Sequence, residues 1–174
     1  MNTSVAARSG WRSPARWNQP GSLLALAAFL ALCYGVAWVG SAVTMPAIPV
    51  WYEGLAKPPF APPNWLFGPV WGALYGLMAF AAWRVWLQRD RADTRPALTL
   101  FFLQLALNLA WSFLFFGLRN PGAALAGILV LAALIFATLI AFGRIDRWAG
   151  LAFVPYLAWV SFATALNAGV RLLN

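Results

Sequence analysis

Five apolar stretches divide the chain, each free of charge for at least 23 positions. The first runs for 36 residues between Arg16 and Glu53, and the second for 26 between Lys57 and Arg84. Three more follow, of 23 residues between Arg95 and Arg119, 24 between Arg119 and Arg144, and 23 between Arg147 and Arg171. A helix needs about 20 apolar residues to cross the hydrocarbon layer of a bilayer. Each run therefore accommodates one crossing. The first is too short for two crossings and a turn, and Pro46 and Pro49 are expected to break its far end. The pattern predicts an all-α integral membrane protein, a five-transmembrane-helix bundle over residues 21–174. Its helices are expected at about 22–44, 64–87, 96–118, 122–142 and 148–171.

Between these runs lie short polar connections and one long one. Residues 1–20 are polar, rich in arginine and interrupted by proline, which predicts a cytoplasmic tail without a fold of its own. The segment 45–63 holds six prolines together with Trp51, Tyr52 and Phe60. Proline fixes φ and removes a backbone donor, so no long helix is expected there. The aromatic content suits a stiff cover over one end of the bundle better than a loose linker. Asn64 is placed to cap the second helix. Pro69 and Pro155 are expected to bend or loosen the turns that hold them.

Composition agrees with the pattern, at 63% hydrophobic and 9% charged residues; a soluble domain carries about a quarter charged. The charges are also sorted by side. Arg8, Arg12, Arg16, Arg84, Arg89, Arg91, Arg95, Arg144 and Arg147 fall at one end of the bundle, and Lys57, Arg119 and Arg171 at the other. Positive residues collect on the cytoplasmic side, which predicts a cytoplasmic N-terminus and an exported C-terminus. The net charge of +8 follows from this asymmetry and does not call for nucleic acid as a partner. The first apolar run exceeds the h-region of a signal peptide, so it reads as a retained span. Cys33 is the single cysteine and histidine is absent. That excludes an intramolecular disulfide, a cysteine metal site and the commonest general base.

Chemistry is sparse and confined to a few helix faces. On the third helix Gln104, Asn108, Trp111 and Ser112 fall within about 100° of arc, with Ala106 and Ala110 nearly opposite. Buried amides in lipid face a bundle interior or a cavity, or else bridge neighbouring helices. The small-residue face suits close packing against another helix. On the fifth helix Tyr156, Trp159, Ala163 and Asn167 share a face, and the second adds Trp71, Tyr75 and Met78. Three stripes that mix large rings with hydrogen-bonding groups predict a shared small-molecule pocket. Trp51, Trp65, Trp83, Trp86 and Trp148 lie near span ends and read as interfacial belt residues. No acidic or basic residue lies away from the span ends, which argues against a proton-driven transporter and against acid–base or nucleophilic catalysis.

At these residues the chain resembles the TspO/MBR family, the tryptophan-rich sensory proteins related to the mitochondrial translocator protein. Trp51-Tyr52 is followed by Lys57-Pro58-Pro59-Phe60-Ala61-Pro62-Pro63-Asn64-Trp65. Then come Pro69-Val70-Trp71 with Leu74-Tyr75-Gly76-Leu77-Met78, and Gln104-Leu105-Ala106-Leu107-Asn108 with Trp111 and Phe115-Phe116-Gly117. Trp148-Ala149-Gly150 leads to Val154-Pro155-Tyr156-Leu157-Ala158-Trp159 and Leu166-Asn167. The match covers about residues 50 to 174. It implies a homodimer in a bacterial cell membrane or outer membrane, and a tetrapyrrole ligand, protoporphyrin IX or haem, held without covalent attachment. By motif, the pocket would be lined by Tyr52, Trp71, Asn108, Trp111, Trp159 and Ala163. Trp51, Tyr75, Gln104, Tyr156 and Asn167 are further candidates. The family's sterol motif is not reproduced: Ala168 stands where it has an aromatic and Arg171 comes one residue early, so sterol recognition is not expected there.

Such a resemblance implies a porphyrin-binding sensor, regulator or translocator. The alternative it leaves open is a light- and oxygen-dependent porphyrin-degrading enzyme that uses Trp71, Trp111 and Trp159.

Overall fold

The computed structural model describes residues 20–174, so the tail, with Arg8, Arg12, Arg16, Trp11 and Trp17, lies outside the described residues. Among the described residues, five segments are long and apolar enough to cross a membrane: Pro20–Val50, Asn64–Trp86, Arg95–Gly117, Pro121–Ile145 and Arg147–Leu173. They form helices α1 (Pro20–Val50), α2 (Phe67–Trp86), α3 (Arg95–Ser112), α4 (Pro121–Ile145), α5 (Arg147–Ala152) and α6 (Val154–Leu173). The last span is thus two helices, α5 and α6. The bundle closes as a ring in which α1 packs on α2, α2 on α5, α5 and α6 on α4, α4 on α3, and α3 back on α1. α2 packs closely on α5, but no comparable backbone packing joins it to α6. The bundle is tight at the α5 end and splayed toward the cover.

Two close approaches set this geometry. A Cβ on Gly150 would stand 2.7 Å from Gly143 Cα, so α4 and α5 cross backbone to backbone and tolerate no side chain there. Arg84 on α2 donates to Asp146, which precedes α5, from Nε at 3.0 Å and Nη2 at 2.7 Å. Asp146 also caps α5, its Oδ1 accepting the Ala149 N–H at 2.9 Å. Burial alone would raise this carboxyl, but the Arg84 guanidinium and the backbone donors together hold it below the usual carboxylate range.

Local structure departs from expectation in α1 and at Asn64, and meets it at Pro155. α1 does not break at Pro46 but continues through Pro49 to Val50, so the cover begins at Trp51. Each proline removes one backbone donor, and the helix resumes beyond them, with Trp51 N–H bonded to Ala47 C=O at 3.0 Å. Asn64 does not cap α2. It opens a 3-10 turn, Asn64–Leu66, and its Nδ2 donates to Glu53 across the cover at 3.3 Å. Pro69 falls in the first turn of α2, where a backbone N–H has no helical partner, directly after the 3-10 turn Asn64–Leu66. Pro155 loosens the last span as expected: it lies in the first turn of α6, and the interruption falls just before it, at Phe153.

Trp83 is not a belt residue. It is buried and its indole N–H donates to the Ser22 C=O at 2.8 Å, joining α2 to the start of α1. Trp65 and Trp148 are 72% and 59% exposed, as belt residues require.

Candidate functional site

A cavity of about 290 Å³ opens between α1, α2, α3 and α6, beneath the cover. The splay of α2 from α6 creates it. Trp71 and Tyr75 enter from α2, Asn108 and Trp111 from α3, Trp159, Ala163 and Asn167 from α6, and Tyr52 from the cover. All six residues carried over by motif therefore meet in one space, joined by Tyr75 and Asn167 from the further candidates.

Trp51, Gln104 and Tyr156 do not line it, contrary to expectation. Trp51 packs outside against Phe115 and Phe116, with ring centroids at 5.5 and 6.3 Å. Gln104 and Tyr156 are fully buried one layer behind. They complete a hydrogen-bonded chain in which Tyr75 Oη donates to Asn108 Oδ1 at 2.7 Å and Asn108 Nδ2 donates to Tyr156 Oη at 2.8 Å. Tyr156 Oη in turn donates to Gln104 Oε1 at 3.0 Å. Asn108 thus faces the cavity and also ties α2, α3 and α6 together. This arrangement leaves no buried amide short of a partner, the condition under which polar groups survive in lipid.

The aromatic wall owes its shape to an irregular turn. α3 ends in a π turn, Phe113–Gly117, closed by Leu118 N–H to Phe113 C=O at 2.7 Å. The wider turn brings consecutive Phe115 and Phe116 both to the cavity, where Trp111 stacks on Phe115 at 5.3 Å and 23°. Arg119, at φ 51°, then reverses the chain, and Asn120 caps α4 by accepting the Ala123 N–H at 3.0 Å. Tyr52 sits against the same rings, and burial pushes its phenol up, so the cavity receives a neutral hydroxyl.

The opposite wall was not legible in the motifs. α1 contributes Ala37, Gly40, Ser41 and Thr44, and beyond them Met45 and Ile48. Phe67, Gly68 and Gly72 on α2 were also missed, although Gly68 and Gly72 leave open space where a Cβ would stand. The available signal was their small size at three- and four-residue spacing.

Among the described residues, no aspartate, glutamate, lysine or arginine lines the cavity. The Lys57 ammonium lies over the Tyr52 ring at 4.9 Å. Most polar hydrogens of the wall are committed: Trp111 Nε1 donates to Asn167 Oδ1 at 3.3 Å, and Asn167 Nδ2 to Pro121 C=O at 2.9 Å. Trp159 Nε1 is, among the described residues, the one buried side-chain polar atom without a partner. Its ring meets Phe67 edge to face at 5.8 Å. Such a site can stack a flat apolar body and offer it uncharged hydrogen-bonding groups. It holds no acid–base pair, and no cluster of metal-ligating residues occurs among the described residues.

Comparison with known proteins supplies the context. The profile of the TspO/MBR family matches residues 29–173. The chain is 40% identical over 153 residues to "Tryptophan-rich protein TspO" of Archaeoglobus fulgidus, covering 88% of this chain and 99% of that protein. It is 40% identical to "Tryptophan-rich sensory protein" of Cereibacter sphaeroides over 84% of this chain and 89% of the other. To the human "Translocator protein" it is 41% identical, over 67% and 70% of the two chains.

Proposed function

The chain belongs to the TspO/MBR family, and from that premise we propose that its cavity binds a flat tetrapyrrole, protoporphyrin IX or haem. The protein then acts as a membrane sensor, regulator or translocator of that ligand. One observation carries the reading: Tyr52, Trp71, Trp111 and Trp159 converge from the cover and three helices on one uncharged space. Aromatic walls with a few polar anchors suit a large planar ligand, and stacking on a ring is worth about 1–3 kcal/mol by analogy with nucleobases. Relatives named for sensing and for translocation agree with a ligand-handling role.

Purified protein titrated with protoporphyrin IX and with haem tests this. Saturable quenching of tryptophan fluorescence is expected, weakened when Trp71 or Trp159 is replaced by alanine. Unsaturable quenching, insensitive to both replacements, would overturn it. The reading extends to a homodimer in a bacterial cell membrane with the N-terminus inside.

A further inference from the structure

The seams between the helices around the cavity are not alike. Between α1 and α3 the backbones are close: a Cβ on Gly40 would stand 3.4 Å from Ser112 Oγ, and one on Gly117 would stand 3.3 Å from Val43 Cγ1. Between α2 and α6 the splay is filled by rings. Phe67 meets Trp159 at 5.8 Å, Trp159 meets Phe162 at 5.5 Å, and Phe162 meets Phe60 of the cover at 6.2 Å. Between α3 and α6 the Trp111 indole bonds to Asn167, and α4 packs behind both helices.

The seam between α1 and α2 is shut for only part of its length. Tyr34 Oη donates to Gly72 C=O at 3.1 Å, and a Cβ on Gly76 would stand 3.1 Å from the same hydroxyl. Toward the cover, Ser41 and Met45 follow Tyr34 on the same face of α1, because offsets of 7 and 11 residues at about 100° per residue return nearly to the starting direction. The antiparallel α2 sets Gly68 opposite them. There the seam stands open: a Cβ on Gly68 or Gly72 would meet nothing within 4 Å. Ser41, Met45, Gly68 and Gly72 all line the cavity, yet Ser41 and Gly68 are exposed and Met45 is 65% exposed.

We propose that this gap is a side window through which a flat apolar molecule passes between the bilayer and the cavity, with the Tyr34–Gly72 bond as its sill.

The window extends the tetrapyrrole reading to the route of the ligand, and it rests on that reading only for the ligand's identity. A slot between two helix backbones is long and narrow, the shape that admits a plate edge-on. Gly68 and Gly72 put no side chain into it. The opening leaves no hydroxyl bare at the sill, since Tyr34 is bonded to Gly72, and helix backbones satisfy their own polar groups in lipid. Trp38 stands beside the window on α1, 74% exposed and well away from either end of that helix. Tryptophan usually lies at the headgroups; here its ring offers an arriving plate a surface to stack on.

The test needs no knowledge of the ligand. Ser112 lines the cavity, so Ser112→Cys in a Cys33→Ala background places one thiol inside it. Protein in liposomes is labelled with pyrenyl maleimide, a flat apolar reagent carried in the bilayer, and separately with a charged, membrane-impermeant methanethiosulfonate. Gly68→Phe should slow the pyrenyl reagent about 10-fold, as a barrier raised by one packed ring would. Ser41→Phe, which blocks the window from the α1 side, should slow it as well. Both variants should leave the charged reagent at the parent rate, which also reports an intact fold. Gly35→Phe, on α1 and outside the cavity lining, should slow neither. An unchanged pyrenyl rate in both window variants overturns the proposal. Equal slowing of the charged reagent, or slowing of the pyrenyl reagent by Gly35→Phe, overturns it too. Absence of porphyrin binding would count against the proposed function and leave these readouts intact.

Discussion

Arg84 and Asp146 form a two-bond ion pair between α2 and the start of α5, with the carboxylate 9% and the guanidinium 30% exposed. Because α2 packs on α5 but parts from α6, this pair lies at the closed end of the bundle, opposite the cavity. Asp146→Asn keeps an N-cap for α5 but removes the charge. It should destabilise the protein by about 1–2 kcal/mol, a charged bond discounted for partial exposure. The pH dependence follows from the lowered carboxyl. Its contribution is complete above the unfolded value near 4 and is lost as pH falls through the lower folded value. Thermal unfolding in detergent should therefore show a loss of stability below about pH 4 that Asp146→Asn abolishes. An identical acid profile in the variant would remove the pair from the account.

Asn108 is both wall and tie. Asn108→Leu leaves the hydroxyls of Tyr75 and Tyr156 without the amide that joins them. A loss of about 1–3 kcal/mol is expected for stranded buried polar groups. Tyr75→Phe should cost less, and the double variant less than the sum, since both act on one chain of bonds. Additive losses in thermal denaturation would break that chain.

Trp159 and Trp148 sit on one span and should behave differently. Trp159→Ala removes a ring from the cavity wall and should weaken protoporphyrin IX binding about 5–150-fold. Trp148 is exposed at the opposite end of the bundle, with Arg147 over its ring at 5.4 Å, and its loss should leave the affinity unchanged. Fluorescence titration of both variants at matched folding decides. Equal losses would place the ligand elsewhere.

The spans were legible because a bilayer tolerates so few charges: runs of 23 residues or more between arginines leave little freedom of assignment. Their ends were less so. A proline reads as a stop, yet α1 passes Pro46 and Pro49; membrane helices tolerate proline where surrounding groups take up the freed backbone carbonyls. Trp83 lies at a span end like the belt tryptophans, and depth cannot distinguish a ring facing lipid from one bonded to Ser22. The aromatic half of the cavity was visible in its rings and amides. The α1 wall was not, since Ala37, Gly40 and Ser41 carry no distinctive chemistry. Nor does the sequence of Phe113–Gly117 announce a π turn.

Ala106 lies exposed on α3, with Ala110 one turn on and half-buried. Small residues let helices approach, so this face suits a second copy of the chain. Ala106→Leu with Ala110→Leu should shift the protein from dimer to monomer in detergent, read by light scattering. An unchanged mass would move the interface to another face.

Sidedness follows from the arginines. Helix order sets Arg84, Arg89, Arg91, Arg95, Arg144 and Arg147 at one end and Lys57, Arg119 and Arg171 at the other. Reporter fusions should therefore find the start of the chain in the cytoplasm and Asn174 outside. An exported reporter on the N-terminus would reverse the arrangement.

The length of α1 bears on where a ligand is met. Its 31 residues make a rod of about 46 Å, against a hydrocarbon layer of about 30 Å. α2, with 20 residues, is close to that thickness at about 30 Å. The residues α1 lends to the cavity, Ala37 to Ile48, belong to its far portion. The cavity therefore belongs to the half of the bundle under the cover, with Trp159, near the middle of the span Arg147–Leu173, at its deep end. A flat amphiphile entering from the cover end would meet every ring of the wall within half the length of the bundle, without passing the closed α5 end.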